Sequence, residues 1–320
     1  MIVTADRPEH LRTCLQHIEK LVPAPLEVVV VDDSSDDRMS RSLSDEFPDV
    51  RFVRHKSDSG PTPEPRHTGY AATSGDIVAF IGDDAHVDER WLGELTVPYA
   101  DPRVVAVCGR VLHGIEGEAI KGRGEIGRLL PDGRLTDNFA ADPGRQIDVD
   151  HQGAANMSFR RTALDAIGGI RGGYPGTGHA AESDISLRLG LTGGKLVLQP
   201  TAIVTQTATR DMLRRKRLDR RHIYYARRNH VVLLVRLFGW RDPLLTRYIW
   251  SALRDQPRHF SRLRSELRAR TRQDTRLSPL QRLRVFAGPT LILTEARGLI
   301  SGVFAALGAR RDDRRAHHGR

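Results

Sequence analysis

The sequence predicts an α/β protein: a mostly parallel sheet flanked by helices, followed by a basic helical extension. Three observations carry that prediction. Short β-branched runs alternate with helix-spaced segments over the first two thirds of the chain, the rhythm of βαβ units. One apolar run, Asp76-Ile77-Val78-Ala79-Phe80-Ile81-Gly82-Asp83-Asp84, ends abruptly in two adjacent carboxylates, as a buried strand opening onto a ligand crevice does. The charge is also divided along the chain: residues 209–320 hold 28 Lys and Arg against 9 Asp and Glu, whereas residues 1–208 hold 22 against 31.

Taken in order, Pro8 to Leu21 places Leu11, Cys14, Leu15 and Ile18 at helical spacing, with Pro8 suited to a first turn. Leu26 to Val31 is a continuous β-branched run, as a strand buried on both faces requires. It ends in a stretch of Asp and Ser that can cap a following helix. Val50 to Val53 is a short strand. Pro61 to Pro65 is loop, and Arg66 to Ala72 a helix with Gly75 beyond its end. Ile77 to Ile81 and Val104 to Val111 are the next strands. Residues 113–150 are rich in Gly, Asp and Arg, without clear periodicity, and read as a long excursion beside a site. Asn156 to Phe159 is a strand followed by a helix to Ile167; a glycine-dense loop over 168–178 leads to a helix from Glu182 to Gly190. Lys195 to Leu198 and Ala202 to Thr205 are extended. Beyond Gln206 the chain turns to basic helical segments broken by Pro243, Pro257, Pro279 and Pro289, so a domain boundary is expected near 208.

The 320 residues suffice for one large domain or two ordinary ones, and the composition is globular, with 39% hydrophobic residues. Cys14 and Cys108 are too few and too far apart for a disulfide framework or a zinc site and fit a reducing cytoplasm. The N-terminus carries no basic region followed by an apolar stretch, and no charge-free run reaches the ~18–20 residues of a membrane helix.

The acid pair at the end of the Ile77–Ile81 strand is electrostatically demanding, because two desolvated carboxylates repel and call for a positive partner. A hard divalent cation bearing a phosphate answers that call, since Mg²⁺ or Mn²⁺ takes one or two carboxylates and completes its shell with phosphate oxygens and water. Asp33, at another strand end, can accept hydrogen bonds from a base or ribose, or can cap the next helix. Arg66, opening its helix, suits phosphate recognition through a planar guanidinium, or an ion pair with Glu64.

Five segments, in order, resemble the family 2 glycosyltransferases over roughly residues 1–208. They are Thr4-Ala5-Asp6-Arg7-Pro8; Val31-Asp32-Asp33-Ser34-Ser35; Gly60-Pro61 through Arg66-His67-Thr68-Gly69; Phe80 through Trp91-Leu92; and Gly153 to Arg161 with Glu182 to Leu189. The resemblance implies a GT-A fold, with a nucleotide-sugar-binding half over 1–112 and an acceptor half over 113–208, and inverting sugar transfer from a nucleotide-diphosphate sugar. It places Thr4, Asp6, Asp32, Asp33, Arg66 and Asp83 around the donor, Asp84 on the metal, and Glu182 at the catalytic base, one methylene longer than the usual aspartate. Three positions depart from the family pattern: Gly82 stands for the first acid of the metal segment, Ala181 for the acid before the base, and Gln206 for a late metal-binding histidine. An amide oxygen ligates a hard cation more weakly, so Gln206 is a weak metal ligand.

Tyr224-Tyr225-Ala226-Arg227-Arg228-Asn229 resembles a helix that follows the catalytic domain in rhamnosyltransferase-like members. The arginine-rich tail, with apolar stripes beside its charges, implies peripheral contact with an anionic membrane surface on the cytoplasmic side, and a saccharide or lipid-linked acceptor in cell-surface polysaccharide assembly. A packed extension or homodimer surface is the alternative for the tail. Specific nucleic-acid binding lacks interleaved aromatics and any reading module. A degenerate, non-catalytic nucleotide-sugar binder is the alternative that the three departures prompt.

Overall fold

The computed structural model describes residues 1–55, 65–176, 178, 180–206, 219–254 and 287–318. The chain forms two compact units, one of residues 1–129, 135–173 and 181–212, the other of 130–134, 174–180 and 213–320. The boundary expected near 208 falls outside the described residues.

The first unit is built on a nine-stranded sheet: β1 (Ile2–Thr4), β2 (Val28–Asp32), β3 (Val50–Arg54), β4 (Ile77–Gly82), β5 (Ala85–Val87), β6 (Val104–Leu112), β7 (Ile147–Asp148), β8 (Asn156–Arg160) and β9 (Lys195–Gln206). The order is β3-β2-β1-β4-β8-β6-β9-β5, with β7 on β9. The mostly parallel sheet expected from the sequence is present, with β1, β2, β3, β4, β6 and β9 all running one way. Strand β8 runs antiparallel between β4 and β6, and β5 and β7 are antiparallel to β9. The reason lies in the connections: β8 follows the long excursion over 113–150 instead of a crossover helix, so nothing obliges it to run parallel.

Helices α1 (Pro8–Ile18), α2 (Arg38–Glu46), α3 (Pro65–Ala72), α4 (Trp91–Thr96), α5 (Arg161–Ala166) and α6 (Ala181–Leu191) cover the sheet. The apolar stripe of α1 (Leu11, Cys14, Leu15, Ile18) joins Ile2, Val30, Ile81, Trp91 and Val107 in one core, while Phe80, Cys108, Met157, Phe159, Ile185 and Leu189 form a second. Strand β4 feeds both by alternation, Ile81 to one and Val78 and Phe80 to the other, the period-two signature of a strand buried on both faces. Both cysteines are buried and reduced.

Strand β8 reads Asn-Met-Ser-Phe, an alternation that in sequence suggests one wet face, yet Asn156 and Ser158 are fully buried. They are satisfied by the polar ends of aromatic side chains, Trp91 Nε1 donating to Asn156 Oδ1 at 3.1 Å and the Tyr99 hydroxyl meeting Ser158 Oγ at 2.9 Å. Asn156 Nδ2 donates to the carbonyls of Arg110 and Ala202, each at 2.9 Å, and so pins β6 to β9 where their register slips between Gly109 and Arg110. That bulge accounts for the two extended segments read from sequence, which are one strand, β9. Gly109 is obligatory there, because a Cβ would lie 1.8 Å from the Ala202 carbonyl oxygen. Replacing Asn156 by Ala strands three buried groups and is expected to destabilise the fold by about 3–4 kcal/mol in chemical denaturation.

The second unit contains α7 (Arg220–Phe238), α8 (243–254) and α9 (Ala287–His318). Asp219 caps α7 by accepting from the Arg221 N–H at 2.9 Å. Seven consecutive residues of α7, Asn229 to Val235, are buried, so this helix is enclosed on all sides over two turns. Its polar members are paired inside the unit. His230 Nε2 donates to the Gly133 carbonyl at 2.7 Å with its ring stacked on Tyr248, and Asn229 Nδ2 donates to Pro175 O at 3.1 Å. Helix α9 lies along α7 through Arg227–Glu295 at 3.0 Å, Arg236–Asp313 and a Tyr224–Ser301 hydroxyl bond of 2.7 Å.

Candidate active site

The site is assembled at the carboxyl ends of β2, β1 and β4, three adjacent parallel strands whose register sets Thr4 opposite Asp32 and Val3 opposite Gly82. Thr4 is buried, and its hydroxyl donates to Asp83 Oδ2 at 2.9 Å. Arg7, at the start of α1, completes the hold on Asp83, with Nη1 3.0 Å from Oδ1 and 3.9 Å from Asp84 Oδ2. The positive charge that the acid pair demands is therefore supplied, among the described residues, by a half-exposed arginine that sequence reasoning quoted in its motif without giving it a role.

Asp84 is placed beside Gln206, which lies opposite Ala85 in the β5–β9 pairing, and the Gln206 amide donates to Asp84 Oδ1 at 2.7 Å. The two residues assigned to the metal thus stand together although 122 positions separate them. Gly82 belongs to the same arrangement: a Cβ there would lie 2.8 Å from Asp84 Oδ1 and 3.0 Å from Gln206 Nε2. The missing first acid is accordingly matched by the glutamine, since the space its side chain would need holds the Asp84–Gln206 pair. Among the described residues no cluster of three His, Cys, Asp or Glu could enclose a metal ion. Two carboxylates and an amide oxygen are instead an open, hard donor set, suited to an ion that brings phosphate oxygens and water of its own.

The two acids after β2 separate cleanly. Asp32 is fully buried, with Oδ1 accepting from the Ser34 N–H at 2.9 Å and Oδ2 from Arg54 at 3.1 Å. Burial alone would raise its pKa, but the hydrogen bonds from Ser34, Ser40 and Arg54 outweigh it and hold the carboxyl below the ordinary aspartate value. Asp32, expected against the nucleotide, here anchors its loop, and Arg54 is the partner that sequence reasoning missed. Asp33 is exposed, its N–H fixed on the Thr4 carbonyl at 2.9 Å. Asp6 is exposed as well, in the left-handed region at φ 55°, with its N–H donating to Ser34 Oγ at 2.9 Å.

On α6, Glu182 sits in the first turn, two residues after Ala180, whose φ of 80° is uncommon for a residue with a Cβ and costs about 1–2 kcal/mol. Its carboxyl is held above the ordinary glutamate value. Desolvation is the main cause, with Asp137 adding to it, and Arg66 and His151 acting in the opposite direction. Arg66, in the first turn of α3, is thus one of the charges that bear on the Glu182 carboxyl. His151 is fixed by donating from Nε2 to the Thr136 carbonyl at 2.9 Å, which leaves Nδ1 to accept from Ser183 Oγ at 3.2 Å. Asp184 is structural: fully buried and paired with Arg171 at 2.6 Å and Arg188 at 2.8 Å. Next to His151, both amide atoms of the buried Gln152 have no partner among the described residues. The excursion that carries Asp137, His151 and Gln152 has no periodic signal, so only its composition hinted at a role.

The profile described as Glycosyl transferase family 2 matches residues 1–168. Over 199 residues the chain is 31% identical to the Pre-mycofactocin glycosyltransferase of Mycobacterium tuberculosis, covering 60% of this chain and 40% of that protein. It is 28% identical over 185 residues to the O-antigen biosynthesis protein RfbC of Myxococcus xanthus, covering 56% of this chain and 13% of that protein. The chain thus spans less than half the length of these curated relatives. Among solved structures it resembles the mannosyltransferase PcManGT from Pyrobaculum calidifontis in complex with GDP-Man and Mn²⁺, with a TM-score of 0.57, 18% identity and coverage of 96% of this chain and 85% of that one. It also resembles S. aureus TarS 1-349, with a TM-score of 0.50, 15% identity and coverage of 97% and 90%. At such identities the likeness is one of fold, the GT-A arrangement.

Proposed function

The chain belongs to glycosyl transferase family 2, and from that premise we propose that it moves a sugar from a nucleotide-diphosphate sugar to a saccharide or lipid-linked acceptor with inversion, assisted by Mg²⁺ or Mn²⁺. The observation that carries this reading is the convergence of Thr4, Asp83 and Asp84 at adjacent strand ends, with Gln206 bonded to Asp84 at 2.7 Å. Glu182, whose carboxyl is held above its ordinary value by burial, is the residue to which this reading gives the proton chemistry.

In this reading Asp33 and Asp6 receive the base and ribose, both being exposed where β2 and β1 end. Arg66 faces the diphosphate. A divalent ion held by Asp84, with Gln206 as a weak ligand, would offset the charge that builds on the departing diphosphate. Glu182 takes the proton of the acceptor hydroxyl as that oxygen bonds to the anomeric carbon. The bond from that carbon to the diphosphate breaks, and the electron pair leaves with the nucleoside diphosphate. A raised pKa favours this role, because a base close to the working pH moves protons most efficiently. A single displacement of this kind inverts the anomeric centre. The acceptor class draws on relatives named for O-antigen biosynthesis and for dolichyl phosphate glycosylation. Gln206 beside Asp84 supports a working site over a degenerate binder.

A thermal-shift screen of nucleotide-sugars with and without Mn²⁺ tests the reading. At about 100 times its Kd the right donor adds about 2.7 kcal/mol of stability, an upward shift of several degrees, and the shift is expected to need the metal. A full panel of donors that leaves Tm unmoved with Mn²⁺ present overturns it.

A further inference from the structure

Of the twelve large hydrophobic side chains exposed among the described residues, five lie on α9: Ile292, Leu293, Ile300, Phe304 and Leu307. Four of them fall on one line. Leu293, Arg297, Ile300, Phe304, Leu307 and Arg311 are spaced alternately by four and three, the interval that keeps side chains on a single helical face. Along that line the apolar members are 62%, 59%, 69% and 46% exposed, in chain order, and both arginines are exposed. The other side of α9 is occupied, with Glu295 on Arg227, Ser301 on Tyr224 and Asp313 on Arg236.

The segment Leu291–Asp313, which holds an 18-residue window of mean hydropathy 1.4, is long and apolar enough by length and composition to cross a membrane. Its partners argue against spanning. Glu295 is buried in an ion pair with α7, which itself carries Arg220, Arg221, Arg227, Arg228 and Arg236, and a bilayer centre would have to take these charges too. A helix fixed on one side and apolar on the other, with arginines in the apolar line, fits the plane of the interface.

We propose that the outer line of α9 seats this protein on an anionic lipid bilayer, with Leu293, Ile300, Phe304 and Leu307 at the acyl boundary and Arg297 and Arg311 among the phosphates. The charge selects this occupant. Two of the three acids of α9, Glu295 and Asp313, are turned to arginines of α7, which leaves the outer line cationic, within a segment of 28 basic and 9 acidic residues. A second copy of the helix fits poorly: a parallel pairing sets Arg297 and Arg311 each against itself, and an antiparallel one centred on Phe304 sets them against each other.

Co-sedimentation of the full chain with phosphatidylcholine vesicles, with and without phosphatidylglycerol, tests the proposal, beside the variant carrying Ile300→Ser, Phe304→Ser and Leu307→Ser. The wild type is expected to bind only the phosphatidylglycerol vesicles, and the variant at least about tenfold more weakly, with its melting curve and donor-induced thermal shift unchanged. Arg297→Glu with Arg311→Glu should abolish the preference for anionic lipid. Equal binding by the serine variant, or no binding by the wild type, overturns the proposal. So does a wild-type dimer in analytical ultracentrifugation that the serine variant breaks, which would make the line an interface between copies.

Discussion

Glu182→Gln is expected to lower the transfer rate by about 10²–10⁴-fold, the usual contribution of a positioned general base, with the KM for the donor nearly unchanged. The substitution keeps the shape of the side chain and its hydrogen-bonding capacity and removes only the group that accepts the proton. The pH dependence has a definite sign. Because desolvation lifts the Glu182 carboxyl above the ordinary glutamate value, the wild-type rate should climb through that raised value as pH increases, and the residual rate of the glutamine variant should lack this limb. The linked stability runs the other way. A carboxyl whose pKa is higher folded than unfolded keeps its proton better in the native state, so the ionised form weighs against folding once pH passes the folded value. Glu182→Gln should therefore melt no lower than the wild type at neutral pH, and higher there relative to its behaviour in acid. A variant with full transfer activity ends the assignment of Glu182.

The second large effect is expected at Asp84. Asp84→Asn preserves an acceptor for the Gln206 amide, now 2.7 Å away, while removing the charge that would hold a divalent ion. Transfer should fall by about 10²–10³-fold, the scale on which one electrostatic stabiliser of a developing negative charge counts. Titration calorimetry should show the Mn²⁺-dependent part of nucleoside-diphosphate binding greatly weakened, and binding without metal little altered. Asp83→Asn is a useful contrast, since Asp83 is held by Thr4 at 2.9 Å and Arg7 at 3.0 Å and its loss should disturb the β1 and β4 ends themselves. If Asp84→Asn retains full Mn²⁺-dependent binding, the cation is held elsewhere and the assignment of Asp84 falls.

Much of this was legible before folding, and the reason is local. The β-branched run ending at Asp32, the helical spacing of Leu11, Cys14, Leu15 and Ile18, and the abrupt acids after Ile81 are short-range patterns, and the elements they marked form where expected, to within a few residues. What was not legible depends on contacts between distant segments. Arg7 reaches across 76 positions to Asp83, Gln206 across 122 to Asp84, and Trp91 across 65 to Asn156. No periodicity records such pairings. The same holds for Asp32 and Asp33, neighbours of one residue type: Asp32, the last residue of β2, is buried against Arg54, 22 positions away, whereas Asp33, just past the strand, is exposed.

By itself, then, the sequence determined the alternation of strands and helices, the strand-end acids, the glutamate opening α6 and the cationic character of the last third, because each is written in neighbouring residues. Only the tertiary structure decided the antiparallel insertion of β8, the filling of the space at Gly82 by Asp84 and Gln206, the desolvation of Glu182 and which side of α9 stays uncovered. Burial and charge pairing arise when segments far apart in the chain are brought together, and no single segment carries them in advance.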